Sequence, residues 1–362
     1  MQRTPHAQVS APLQRDFDLH ATTPSGGAVA TAAPPTAGRY EIRAQLARGG
    51  MSSVYLARRD GLDRDVALKE LALDAGGDDV AAERFALESR VADRLSHPNI
   101  VDVLDCFESR GRAYIAMEYV DGGSLRSYAG RLRLEQIAGA LGDVLAGLAH
   151  IEAQGVVHRD IKPDNLLVSA DGRVKIADFG IATECGAARV RLTADGRTVG
   201  TPAYIAPEQA MGRAVGPWTD LYSAGVVAYE LLVGELPFKK TDWSVLMQHI
   251  HEPVPAPRAI RPDLAPALER WLLRLLEKDP ARRPASAQAA WRELEECIVA
   301  LRGPHWREAA RLPVADAEPA VSDANMSPAG ERHRAQHDRA AAPRRDRLHR
   351  PAARARGPRR CC

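Results

Sequence analysis

Lysine is scarce in this chain of 362 residues: there are 6, against 43 arginines, so arginine is the default cation. Cysteine is scarce as well. The five present, Cys106, Cys185, Cys297, Cys361 and Cys362, are odd in number and scattered, which excludes a disulfide framework or a zinc-finger spacing and suits a reducing cytoplasm. Long apolar runs are missing. No stretch of about 18 uncharged apolar residues occurs, so no transmembrane anchor is expected. The first residues lack the apolar segment of a secretory signal, which again points to a cytoplasmic location.

What is present is enough apolar material, 45%, for a sizeable core and one large domain or two small ones. The formal charge of +2 hides a split. Residues 332–362 hold eleven arginines against Asp338 and Asp346, a net of +9, which leaves −7 on everything before them. A mildly acidic body carries a basic tail.

Residues 1–38 include ATTPSGGAVATAAPPTAG (21–38), uncharged and rich in helix breakers, and read as a flexible lead-in. From Arg39 onwards short strands appear, carried by Tyr40 and Ile42, by Val54, Tyr55 and Leu56, and by Val66, Ala67 and Leu68, with GG and DGLD turns between them. A helix is expected over 79–95, then strands near 101–108 and 112–119. Beyond Gly123 the period changes. Ile137, Leu141, Leu145, Leu148 and Ile151 recur every three or four residues and give one apolar face over four turns. Further helices are expected near 218–233, 265–277 and 285–300, separated by Pro-rich breaks such as 252–263. Trp218 and the Pro237-Phe238 pair read as core packing. After Gly303 apolar residues thin out, and 301–362 reads as a disordered Arg/Ala/Pro-rich tail.

The chemistry begins at LARGGMSSV (46–54), between two expected strands. Glycines there let a backbone close over a bulky anion, although an ordinary hairpin would look the same. VALK (66–69) then puts Lys69 on an apolar strand, where an ammonium needs an anionic partner. Glu88, in the middle of the next helix, is the candidate. The densest stretch is VVHRDIKPDNLLV (156–168) followed by VKIADFG (174–180). Asp160, Lys162, Asn165 and Asp178 bring two carboxylates, an amide and an amine between short apolar strands. Carboxylate and amide oxygens suit a hard ion such as magnesium, which also takes ligands from phosphates. Asp160 can accept a proton from a hydroxyl nucleophile, and Lys162 supplies positive charge where phosphate charge would develop.

From about Arg39 to Ala300 the sequence resembles the eukaryotic-like protein kinases. The motifs are VALK, a helix Glu, HRDIKPDN, DFG, GTPAYIAPE and a late Arg-Pro, and the wording GGMSSVYLA looks most like the bacterial serine/threonine members. The resemblance implies an α+β, two-lobed kinase fold: a β-rich N-lobe with one helix over about 39–120, and a mainly helical C-lobe over about 121–300. It implies that Lys69 holds the α- and β-phosphates of ATP and pairs with Glu88. Asp160 would be the catalytic base, and Asn165 and Asp178 the ligands of Mg2+, with Mn2+ the alternative ion. Leu46, Ala47, Gly49, Gly50, Ser52, Val54 and Ala67 would line the nucleotide. Met117 would be gatekeeper in the inter-lobe hinge MEYV, and backbone groups of Glu118 and Val120 would meet the adenine.

Lys162 and Thr201 are the family's serine/threonine-type choices, with the Thr201 hydroxyl between Asp160 and Lys162. Thr193 and Thr198 are candidate autophosphorylation sites for contacts through Arg159, with ordinary loop hydroxyls as the alternative. Glu208 would pair with Arg283, and Asp220 would anchor the catalytic-loop backbone. The family's glycine loop reads G-x-G-x-x-G, whereas these positions are Ala47, Gly49 and Ser52. Ala47 departs from the pattern and keeps a second reading open, a pseudokinase-like nucleotide-binding scaffold. Expected partners are protein substrates and a cognate phosphatase. The basic tail adds a third reading, contact with nucleic acid or acidic lipid, beside a weakly sticky extension.

Overall fold

The computed structural model describes residues 36–48, 52–61, 64–71, 95–178, 202–239 and 244–314. Six strands form one antiparallel sheet: β1 Thr36–Ala37, β2 Tyr40–Arg48, β3 Ser52–Arg59, β4 Asp65–Leu71, β5 Val103–Ser109 and β6 Arg112–Glu118. Their order is β1-β2-β3-β4-β6-β5. In a flat sheet β2 and β5, four spacings apart, would be separated by about 19 Å. Yet Tyr40 on β2 stacks on Phe107 of β5 with ring centroids 5.2 Å apart, and Phe107 on Tyr114 at 5.4 Å. The sheet is therefore strongly curled, and these rings close its concave side over Ala57, Val66, Leu68 and Ala116.

The strands expected from the sequence appear within a few residues of their expected places. Glu88 and the helix expected over 79–95 lie outside the described residues. The lead-in expected to run to residue 38 is shorter, because Thr36 and Ala37 already pair with Glu41 and Tyr40, and Ala37 is buried.

Seven helices are described: α1 Leu134–Ala153, α2 Pro207–Ala210, α3 Pro217–Val233, α4 Ser244–His251, α5 Pro257–Ile260, α6 Pro266–Leu275 and α7 Ala287–Arg302. The expected stripe on α1 is buried from Ile137 to Ile151. Its Gly147 admits a close neighbour: a Cβ there would stand 2.8 Å from the Ile176 side chain and 3.0 Å from Asn99 O. α3 is apolar nearly all round because it runs through the centre of the helical core, which α1, α6 and α7 complete. It stops at Gly234, whose φ of 93° is the left-handed turn that ends a helix. Between the sheet and the helices lies a two-stranded hairpin, β7 Leu166–Val168 and β8 Val174–Ile176.

Two expectations need correction. Trp218 is not core: it lies at the start of α3 with 39% of its surface exposed, its ring against Gly216. Phe238 is buried as expected. Nor does packing end near residue 300. Past α7 the chain makes a helical turn, Trp306–Ala309, and then runs across α1 to the β7–β8 turn. Trp306, Ala310 and Leu312 are buried in the helical core. A Cβ on Gly139 would lie 2.5 Å from Ala310 O, one on Gly172 2.5 Å from Leu312 O, and Leu312 N donates to Gly172 O. Two small residues on the body make room for this strap, and Trp306 and Leu312 supply enough apolar surface to hold it.

Candidate active site

The segment 158–165 connects the helical core to β7, and its shape is set by buried groups beneath it. Asp220, on the first turn of α3, accepts hydrogen bonds from the N–H groups of His158 (2.7 Å) and Arg159 (2.8 Å). Gln209 Nε2 donates to Arg159 O at 2.8 Å, so both sides of the Arg159 peptide unit are held. That grip matters because Arg159 has φ of 68°. Among the described residues three non-glycine positions have positive φ, and two of them, Arg159 and Asp178 (57°), flank this site. Such strain costs about 1–3 kcal/mol per residue and persists only where neighbours hold it. Burial pushes the Asp220 carboxyl up to about 7, against the pull of its two N–H donors.

His158 is fully buried. Its Nδ1 accepts from Asp160 N (3.2 Å) and its Nε2 donates to Ala177 O (3.1 Å), which fixes the neutral tautomer. Burial lowers its pKa to about 4, against a raising contribution from the Ala177 bond. Ala177 N in turn donates to Asn165 O at 2.8 Å, so loop and strand end are tied twice.

On this frame stand four polar side chains. Lys162 Nζ donates to Asp160 Oδ2 at 2.6 Å. Asn165 Nδ2 donates to the same Oδ2 and to Asp160 O, both at 2.8 Å. The Asp160 carboxylate is thus orientated by two donors on one oxygen while about half of its surface stays open. Lys69 reaches from β4 across to Asp178, Nζ to Oδ1 2.9 Å. Burial pushes the Asp178 carboxyl up, but the Lys69 charge and hydrogen bond, with the Lys162 charge adding to them, hold it below the ordinary carboxylate range. Pairing of Lys69 with Asp178 was not among the sequence expectations.

With Asn165 Nδ2 committed to Asp160, its amide oxygen is the atom left to bind a cation, and Asp178 offers a second oxygen. Two oxygen donors fit a magnesium-like ion that takes its other ligands from phosphate and water.

Where the sheet meets the hairpin, an apolar cluster forms the candidate cleft. Ala67, Met117 and Val120 come from the sheet and the segment after β6, and Leu167 and Ala177 from the hairpin side, with Val54 and Val101 alongside. Val54, Ala67, Met117 and Val120 were expected from the sequence. Leu167 and Ala177 were missed, although each sits two positions or fewer beside a motif residue, and strand alternation places them on the face opposite Leu166 and Ile176. Leu46 and Ala47 lie on β2 and Ser52 on β3, next to the cleft's Val54, which pairs with both Ala47 and Lys69. Ala47 is in extended strand backbone, where no glycine is required. Gly49 and Gly50 lie outside the described residues, as do Thr193, Thr198 and Thr201.

Further down, Arg283 forks onto Glu208 with NH1–Oε1 2.8 Å and NH2–Oε2 2.9 Å. Both are buried, and Thr219 Oγ1 adds a third bond to Glu208 at 2.9 Å. This pairing and the Asp220 anchor agree with the sequence expectation.

Comparison with known proteins gives the same architecture. The family model described as "Protein kinase domain" matches residues 40–293. The chain is 40% identical over 274 residues to the serine/threonine-protein kinase pkn3 of Myxococcus xanthus, covering 71% of this chain and 49% of that protein. It is 42% identical over 255 residues to the serine/threonine-protein kinase PknA of Mycobacterium tuberculosis, covering 68% and 58%, and 36% identical over 255 residues to PrkC of Bacillus subtilis, covering 69% and 39%. It therefore spans well under two thirds of these relatives' length. The crystal structure of the Mycobacterium tuberculosis PknI kinase domain superposes with a TM-score of 0.58 at 30% identity, over 74% of this chain and 99% of that one.

Proposed function

Since the chain belongs to the protein kinase family, we propose that it transfers the γ-phosphate of ATP to serine or threonine hydroxyls of proteins. The observation that carries this reading is the Asp160–Lys162–Asn165 constellation beside the Lys69–Asp178 pair. In it Asp160, with one oxygen held by two donors, turns the other towards an incoming hydroxyl and accepts its proton as the phosphoryl group moves. Lys162, 2.6 Å away, places its ammonium where charge develops on the transferred group. Lys69 holds the phosphates on the sheet side. A magnesium or manganese ion would be held by Asn165 and Asp178, and when bound it neutralises phosphate charge. The apolar cleft takes the adenine, against backbone groups of Glu118 and Val120, with Met117 limiting its depth.

The serine/threonine choice rests on Lys162 and on the resemblance at Thr201. Autophosphorylation at Thr193 or Thr198, with Arg159 as the phosphate contact, belongs to the same reading. So do a cognate phosphatase and a cytoplasmic location; among the described residues no helix is long and apolar enough to cross a membrane. Contact of the basic tail with nucleic acid or acidic lipid is a weaker proposal, because arginine is this chain's ordinary cation. The scaffold alternative is disfavoured, because Lys69, Asp160, Asn165 and Asp178 are all present and Ala47 lies in strand backbone that does not call for glycine.

The test is phosphate transfer from labelled ATP by wild type and Asp160→Asn, with the products mapped by residue. Losing the base should cut the rate by about 10²–10⁴ while nucleotide still binds, and the wild-type label should lie on serine or threonine. Equal incorporation by both proteins would remove Asp160 from its role.

A further inference from the structure

Three of the chain's 6 lysines, Lys69, Lys162 and Lys175, stand within or beside the cleft, in a protein that otherwise uses arginine. The first two have roles in the reading above. Lys175 does not. It lies in the middle of β8, opposite Leu167 of β7. Its neighbours Val174 and Ile176 are fully buried in the helical core, so by alternation the Lys175 side chain leaves the other face, the one towards the cleft. There its Nζ donates to both carboxylate oxygens of Glu118, at 2.8 and 2.7 Å. Both side chains are mostly covered, 14% and 19% exposed. A covered bidentate pair of this kind is costly to break from one side only.

The two ends of the pair belong to opposite walls of the cleft. Glu118 is the last residue of β6, between Met117 and the segment leading to Val120 on the sheet side. Its own N–H donates to Asp102 O (2.9 Å), and Asp102 N donates back to its Oε2 (3.4 Å). Lys175 is cross-strand from Leu167 and two residues before Ala177 on the hairpin side. Some other bonds between the walls, such as Val101 N to Ile176 O, are made by backbone, and Lys69 to Asp178 is a second side-chain link. The Lys175–Glu118 bond joins them by side chains close beside the apolar cluster.

We propose that Lys175 is a positioning residue for nucleotide: by holding Glu118 it sets the separation between the two walls, so that a planar base fits between Val54 and Ala67 on the sheet side and Leu167 on the hairpin side. This rests on reading the cleft as the ATP site. A lysine suits the task better than an arginine because a compact ammonium can seat between two oxygens of one carboxylate at the end of a thin apolar stem.

The test is titration of the full chain with a fluorescent ATP analogue, alongside steady-state kinetics and thermal melting. Lys175→Met should weaken nucleotide binding and raise KM for ATP by about tenfold, within the usual range for coupled sites, with kcat at saturating ATP little changed. Glu118→Gln should weaken nucleotide binding to the same extent, the double variant should be no worse than either single one, and Lys175→Arg should recover part of the loss. Glu118→Gln keeps the side-chain shape and carries the test if Lys175→Met melts too early to assay. Unchanged nucleotide affinity in both variants overturns the proposal. So does a fall in kcat and affinity together that simply follows the melting temperature, because that is the signature of a strut with no part in binding. Wild type that bound no nucleotide would defeat the kinase reading itself, an outcome distinct from wild type and variants binding alike.

Discussion

His158 and His249 are both fully buried and both neutral by their hydrogen bonds, since each ring accepts on Nδ1 and donates from Nε2 to a carbonyl. Burial lowers each pKa from 6.5 to about 4. A depressed value means that the unfolded chain takes up the proton first. Their contribution is complete above pH 6.5 and is lost as pH falls from there towards 4, by something of the order of 3 kcal/mol for each. Asp220, pushed up to about 7, works in the opposite sense, its contribution fading as pH rises towards that value. The histidine part is isolated by difference: His249→Gln should show a shallower loss of melting temperature between pH 6.5 and 4 than wild type, and parallel curves would refute the assignment. At this scale the sequence was legible where residues are locked into motifs. Asp160, Lys162, Asn165 and Asp178 all stand in two such motifs, and the fold brings them together. It was not legible where a side chain's meaning depends on a distant partner. Nothing in VKIADFG announces that Lys175 meets Glu118, 57 positions away. Trp218 looked like core because of its size, but its position on the first turn of α3 leaves the ring outside.

Elements show the same division. The α1 stripe was readable because five apolar residues fall on one helical face, and α3, α6 and α7 because Pro or Ser starts sit before apolar runs. The strap over 303–314 was hidden by its composition. Alanine, arginine and proline make up half of it, and two anchors six residues apart, Trp306 and Leu312, give no period that a pattern can catch. Only the partners explain it: Gly139 and Gly172 lack a Cβ where the strap crosses, Trp306 meets Trp291, and Arg307 covers both rings while pairing with Glu295. Its last contacts reach the β7–β8 hairpin, because Asp143 Oδ2 takes both Val174 N and Arg311. A chain ended after Val314 should therefore melt and transfer phosphate like the full protein. Ended after Gly303, it loses a buried tryptophan and leucine, and its melting temperature should fall by about 10 °C or more. Equal melting of the two truncations would show that the strap is dispensable.

For the whole molecule, the break in period near Gly123 marks the passage from the sheet to the helices, and the charge split sets the basic stretch 332–362 apart from the rest of the sequence. They could not reveal how the lobes are joined, because much of the join is made by backbone groups that carry no residue-type signature. β8 is the centre of that join. β7 lies along one edge, and the stretch from Asn99 to Val101 takes the other through Ile176 N to Asn99 O and Val101 N to Ile176 O. A three-residue strand satisfied on both edges, with Val174 and Ile176 fully buried, has nowhere to fray. In deuterated solvent the Ile176 and Ala177 amides should therefore exchange only by global opening, with a protection equal to the full stability of the body. Early labelling at either would contradict this. The chemical centre would then be embedded in the least yielding part of the protein, and signals that turn it on or off would have to act on the pieces that come to it: Lys69, the glycine turn and the segment after Asp178.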